Sequence, residues 1–139
     1  MTKVSEKIRL KVEERAKHRC EYCLTTMAIS TQRFEMEHII PISLGGKNTL
    51  INLALSCRGC NNHKYNHTTG FDEISQKEIL LFNPRKEKWS EHFAWSKDPL
   101  LLIGLTPKGR ATISRLKLNR SQLLSVRKLL QQLFLHPPT

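Results

Sequence analysis

No stretch of this sequence approaches the roughly eighteen consecutive apolar residues that span a bilayer, so a membrane protein is not expected. The first ten residues, Met1 to Leu10, mix charges with apolar side chains and lack the apolar core of a secretory leader; a cytoplasmic location is the expectation. Apolar residues make up only 39% of the 139 and aromatics 6%, which leaves a modest core that added bracing would help. Internal repeats and low-complexity runs are missing too, which argues against a solenoid. Acidic residues stop at Asp98: all twelve lie at or before it, while 99–139 holds seven Lys and Arg. With a net charge of +11, that lopsided stretch suits a polyanion through counterion release. A solvated basic helix face is the plainer alternative. An anionic membrane surface fits less well, since the stretch has no tryptophan and runs into Pro137-Pro138.

What the chain does have is four cysteines in two pairs, Cys20-Glu21-Tyr22-Cys23 and Cys57-Arg58-Gly59-Cys60. In a reducing compartment such pairs read as metal ligands, and two C-x-x-C turns close a tetrahedron of thiolates around Zn2+. The 33 residues between the pairs exceed a zinc-ribbon gap, so another structural unit is expected between the knuckles. Two redox C-x-x-C motifs are the alternative, but the thioredoxin-like pattern that accompanies them is missing.

Ser5 is a candidate N-cap for a helix from Glu6 to about His18, with Val4, Ile8, Val12 and Ala16 as its apolar stripe. Residues 33–40 alternate, Phe34, Met36, His38 and Ile40 on one face and Glu35, Glu37 and Ile39 on the other, as in a strand stopped by Pro41. Gly45-Gly46 marks a tight loop, Leu50 to Ser56 a returning strand, and Asn61 to about His67 a short helix. Farther on, the pattern predicts a helix over 73–81, a core patch from Trp89, Phe93 and Trp95, and a short strand in 100–105. Thr106-Pro107 opens a helix toward Leu116, and Asn119 caps a final helix carrying Leu123, Val126, Leu130 and Leu133.

The chemistry concentrates in Glu37-His38-Ile39-Ile40-Pro41, then Gly45-Gly46, Asn52-Leu53, and Cys57-Arg58-Gly59-Cys60-Asn61-Asn62-His63-Lys64. Over residues 20–64 these elements stand in one order, and together they resemble the signature of the HNH endonuclease family. The pieces Phe82-Asn83-Pro84-Arg85, Trp89 to Phe93 and Gly104 to Pro107 are similar to small stand-alone bacterial HNH proteins. The resemblance implies an α+β fold with a ββα-metal (His-Me finger) core, two zinc knuckles, an N-terminal helix and a C-terminal mixed or helical extension. It also implies metal-dependent hydrolysis of DNA phosphodiester bonds.

Carried onto this chain, the resemblance makes His38 the general base, an assignment that suits an imidazole titrating near neutrality. It makes Glu37 and Asn61 the ligands of a divalent metal. Asn61 stands where many members have a third His, so this is an HNN variant, and its amide oxygen suits Mg2+ or Mn2+ better than zinc. Asn52, the middle position, is expected to hold the first strand's loop and to fix the His38 ring through a side-chain hydrogen bond. Lys64 and Arg58 are expected at phosphates, with Lys108, Arg110 and Arg115 as further contacts in the basic C-terminal stretch. His63 and His67 read as exposed histidines near phosphates, each with the alternative of replacing Asn61 as ligand or protonating the leaving group. Glu35 reads as a solvated strand residue or a secondary metal ligand. Without Glu37, Asn52 and the knuckles beside it, His38 would read as a packed core histidine.

The expected organisation is a nuclease core with its zinc site in residues 1–70 and a basic, DNA-contacting extension in 71–139 that packs on it. Double-stranded DNA, read with little base specificity, is the expected partner. Two other classes compete: a non-catalytic, zinc-stabilised DNA-binding module, and a purely structural zinc module, which would leave the acid-free C-terminal stretch unexplained.

Overall fold

The computed structural model describes residues 3–139, and the chain divides into two units. The first runs to Thr68 and takes back Asn83–Lys86; the second is Thr69–Phe82 with Glu87–Thr139. The fold is α+β, with short antiparallel strand pairs and a four-cysteine cluster. Among the described residues no helix is long and apolar enough to cross a membrane.

In the first unit, Ser5 caps helix α1 (Glu6–Arg15) by accepting from the Ile8 amide at 3.2 Å. The helix stops earlier than its apolar spacing predicts, because Lys17 and His18 take left-handed backbone angles (φ 56° and 58°) that turn the chain into Cys20. Arg15 on its last turn donates to the carbonyls of Leu50 and Leu53 at 2.8 and 2.7 Å, which ties the helix to the following strand pair. Strand β1 (Glu35–His38) pairs antiparallel with the fully buried β2 (Leu53–Ser56), in a register that sets His38 opposite Leu53 and Glu37 opposite Ala54. The residues before β2, Leu50–Asn52, form a 3-10 turn, not the predicted strand. β1 reverses the burial that its alternation suggests: Glu37 is buried while Met36 and His38 are half-buried and Ile40 is exposed. A carboxylate can occupy the inner face only because buried donors meet it there. Helix α2 (Arg58–Lys64) begins inside the second knuckle, three residues sooner than predicted, with Cys57 as its N-cap.

The second unit opens with a hairpin, β3 (Thr69–Asp72) and β4 (Lys77–Leu80), where the sequence predicts a helix. The Asp72 carboxylate decides the matter: it accepts from the amides of Ile74 and Ser75 at 3.3 and 3.2 Å and from the Ser75 hydroxyl at 2.6 Å, fixing a turn. Next come α3 (Trp89–His92) and β5 (Phe93–Trp95), which pairs with β6 (Leu102–Gly104). Helix α4 (Pro107–Leu116) is capped as predicted by Thr106, which accepts from the Gly109 amide at 3.0 Å. Gly70 of β3 lies so close to α4 that a Cβ there would come within 2.3 Å of the Ala111 carbonyl oxygen. Trp89 stacks on Phe93 and Trp95, with ring centroids 5.1 and 5.7 Å apart, as the core patch that the sequence predicts. Asn119 does not cap the last helix, α5 (Ser121–Gln132); it bonds both the amide and the carbonyl of Leu102, at 2.8 and 2.9 Å.

Candidate active site

The first unit brings both cysteine pairs together. The first turn is held by the Glu21 amide donating to the Leu55 carbonyl at 2.8 Å, and by the Glu21 carboxylate accepting from the Leu55 amide at 2.7 Å and from Arg85. Arg85 belongs to the Phe82–Arg85 piece whose purpose the sequence left open. The four sulfur atoms lie within 4.8 Å of one another, with Cys23 and Cys57 Sγ 3.8 Å apart, too far for a disulfide. A tetrahedron with Zn–S bonds of about 2.3 Å has edges of roughly 3.8 Å, so the site fits a structural zinc ion in spacing and donor type. Its thiols are poised unequally. Hydrogen bonds from the other three, that of Cys20 first, pull the Cys57 thiol far below its ordinary range, while burial pushes Cys20 well up. A bound cation removes that conflict by favouring thiolate at all four.

One turn farther along, β1 and α2 supply a cleft lined by Glu37, His38, Pro41, Ile42, Asn61 and Tyr65. His38 and Asn61 also line a neighbouring cleft with Glu35, Ser5, Lys3 and Arg9. Glu37, His38 and Asn61 thus meet at one surface. Asn61 donates to Glu35 Oε1 at 2.6 Å, so Glu35 is a partner of the site and not a freely solvated strand residue. Glu37 is 2% exposed. Its Oε1 accepts from the Tyr22 hydroxyl and its Oε2 from the Lys64 ammonium at 2.9 Å. Burial, with the neighbouring Glu37 charge second, holds the Tyr22 phenol well above its usual pKa, so it stays a donor. A carboxylate offers about four lone-pair directions, so two partners leave room for a hard cation, and Asn61 adds an amide oxygen of the kind Mg2+ or Mn2+ accepts.

Asn52 holds the loop after β1, as expected, but it is not the residue bonded to the His38 ring. Its side chain accepts from the Ile40 amide at 2.8 Å and donates to the carbonyls of Ile40 and Lys47 at 3.0 Å each. Gly46 must be glycine here, since a Cβ would meet the Ile40 carbonyl oxygen at 1.7 Å. The group on His38 is Asn48, whose Oδ1 lies 2.5 Å from Nε2. Sequence reasoning missed Asn48 and Tyr22. The loop position of Asn48, two residues after Gly46, was the only hint, and nothing in a C-x-x-C turn announces a tyrosine aimed at a strand.

Lys64 is a correction. Expected at a phosphate, it is 2% exposed and its ammonium is enclosed by Glu37 and two carbonyl oxygens. Arg58 is exposed on the first turn of α2. His63 is half-buried and His67 exposed, and the cleft beside His38 is lined by Tyr65 and Asn66 instead of either. In the second unit Lys108 pairs with Glu87 at 2.5 Å and Arg110 with the buried Asp72 at 2.7 Å. Arg115 reaches the Thr69 carbonyl at 2.9 Å and Glu78 at 3.7 Å. The C-terminal stretch lacks acids along the chain but meets them in space. The first unit carries the larger charge surplus, thirteen Lys and Arg against six Asp and Glu, a net +7.

A four-cysteine cluster able to hold a metal ion, beside an antiparallel strand pair and a helix that share a His-bearing cleft, defines an α+β class of candidate metal-site domains. Within that class, residues 20–67 match the family model described as HNH endonuclease, which spans both knuckles, His38, Asn52 and Asn61. No match was found among curated proteins or among solved structures. The HNH match points to a nuclease or DNA-binding role, with DNA as the general partner.

Proposed function

We propose that the chain is a metal-dependent endonuclease that hydrolyses phosphodiester bonds of double-stranded DNA, with a ββα-metal core built from β1, β2 and α2 inside residues 1–70. The observation that carries this reading is the convergence of Glu37, His38 and Asn61 on one cleft within the matched segment. An amide oxygen only accepts, so in the neutral imidazole the contact with Asn48 favours the tautomer with its proton on Nε2 and its lone pair on Nδ1. Nδ1 then takes the proton of a water whose oxygen attacks phosphorus as the bond to the leaving oxygen breaks. A divalent cation held by Glu37 and Asn61, Mg2+ or Mn2+, would supply charge stabilisation on the phosphoryl oxygens. The leaving oxygen is protonated from solvent, and Arg58, exposed on the first turn of α2, is assigned to the backbone phosphates.

A specific observation favours the rival reading of a zinc-stabilised DNA-binding module: both Glu37 oxygens already have partners. Incubating supercoiled plasmid with purified protein in Mg2+, Mn2+ or EDTA separates the two. Metal-dependent conversion to nicked circles is the expected result. Tight binding with no cutting in any metal would favour the module.

A further inference from the structure

The partners of Glu37 come from opposite halves of the cysteine site. Tyr22 stands between Cys20 and Cys23, and its hydroxyl donates to Glu37 Oε1. Lys64 stands one helical turn beyond Cys60 on α2, and its ammonium donates to Glu37 Oε2 at 2.9 Å, the Ile39 carbonyl at 3.2 Å and the His38 carbonyl at 3.4 Å. The three side chains are closed to solvent, Tyr22 at 0% and Glu37 and Lys64 at 2% exposure. With one fixed donor on each oxygen, the carboxylate cannot rotate without breaking a buried bond. An ammonium has three N–H groups, and those of Lys64 all fall on Glu37, His38 and Ile39. One side chain therefore fixes both the carboxylate and the main chain that carries His38.

We propose that Tyr22 and Lys64 are positioning residues that aim the Glu37 carboxylate at the cleft for a divalent cation and hold the His38 strand end, with the four-cysteine site setting their own placement. This rests on the nuclease reading above. It assigns Lys64 to the interior, not to the DNA. Tyr22 adds a neutral donor and Lys64 the counter-charge that a buried carboxylate requires, so the two are not interchangeable.

The test uses the full-length, zinc-loaded protein with Tyr22→Phe and Lys64→Met, reading Mn2+ affinity by calorimetry, then kcat, KM and the salt dependence of DNA affinity. Tyr22→Phe removes one oxygen without changing charge. It is expected to keep its zinc content and its fold, melting a few degrees below the parent because a buried carboxylate oxygen loses its donor, while weakening Mn2+ binding by about 10–100-fold, as loss of a supporting contact behind a metal ligand does. Its kcat falls and its DNA affinity holds. Lys64→Met is expected to leave the slope of DNA affinity against salt unchanged; if that variant does not fold, Tyr22→Phe decides alone. Unchanged Mn2+ affinity in Tyr22→Phe overturns the proposal, as does a salt slope lowered by about one in Lys64→Met, the mark of a lost phosphate contact. A parent that binds no Mn2+ overturns the nuclease reading and this proposal together, whereas a parent that binds it no better than Tyr22→Phe overturns this one alone.

Discussion

Asn48 and Asn52 lie four residues apart in one loop and do different work. Asn52 makes three hydrogen bonds to the main chain of that loop, while Asn48 bonds the His38 ring. Asn48→Ala should therefore lower cleavage by about ten- to a hundredfold, through a His38 ring no longer held, with little change in melting temperature. Asn52→Ala should do the reverse at first order, destabilising by about 1–2 kcal/mol because the Ile40 amide and the Ile40 and Lys47 carbonyls lose their partner in the part-buried loop. Parallel thermal melts and single-turnover cleavage on the two variants check this; equal melting losses would merge the two roles. The sequence marked His38, Glu37 and Asn61, which line one cleft, and gave Asn52 both the loop and the imidazole, of which the imidazole falls to Asn48. That choice depends on the path of the loop around Gly46, a three-dimensional fact with no periodic trace along the chain.

At the scale of elements, the cap-and-knuckle signals were legible and the second unit's opening was not. Ser5 and Thr106 cap the helices assigned to them, because an N-cap acts through neighbours three residues away. The 73–81 stretch has helix-like spacing yet forms half of a hairpin, because Asp72 gathers two amides, a serine hydroxyl and, from α4, the Arg110 guanidinium. The Arg110 guanidinium, with Ser75 next, holds the Asp72 carboxyl well below the usual carboxylate range. A depressed folded-state pKa gives stability that is present above the ordinary carboxylate pKa and lost as pH falls through the folded one. Asp72→Asn should thus melt below the parent at neutral pH, and the gap should close as the solution is acidified below about pH 4, the ordinary value for Asp. A gap that persisted unchanged into strong acid would show that charge is not what Asp72 contributes.

For the whole molecule, charge and metal matter most. Reading the acid-free C-terminal stretch as a DNA footprint followed from position along the chain, but Asp72, Glu78 and Glu87 return to Arg110, Arg115 and Lys108 once the second unit folds. DNA affinity should still fall steeply with salt, and Arg58→Ala should lower that slope by about one, whereas Arg110→Ala should act mainly on stability. Titrating a labelled duplex at several salt concentrations distinguishes these effects. Removing the zinc ligand set should be harsher. Cys57→Ser or strong chelation should unfold the first unit, since its two knuckles hold Tyr22, β2 and α2 in place, and loss of circular dichroism on chelation is the readout. A first unit that stayed folded without metal would remove zinc from the account.

In the proposed reaction His38 performs the proton transfer of a metal-dependent cut. The most direct measurement is single-turnover cleavage of a short duplex by the parent and by His38→Ala at saturating Mg2+ or Mn2+, with zinc content and DNA affinity measured on the same samples. A loss of about 10²–10⁴-fold in rate, with zinc and binding intact, is the expected result for that role of His38. Equal rates in the two proteins would contradict it.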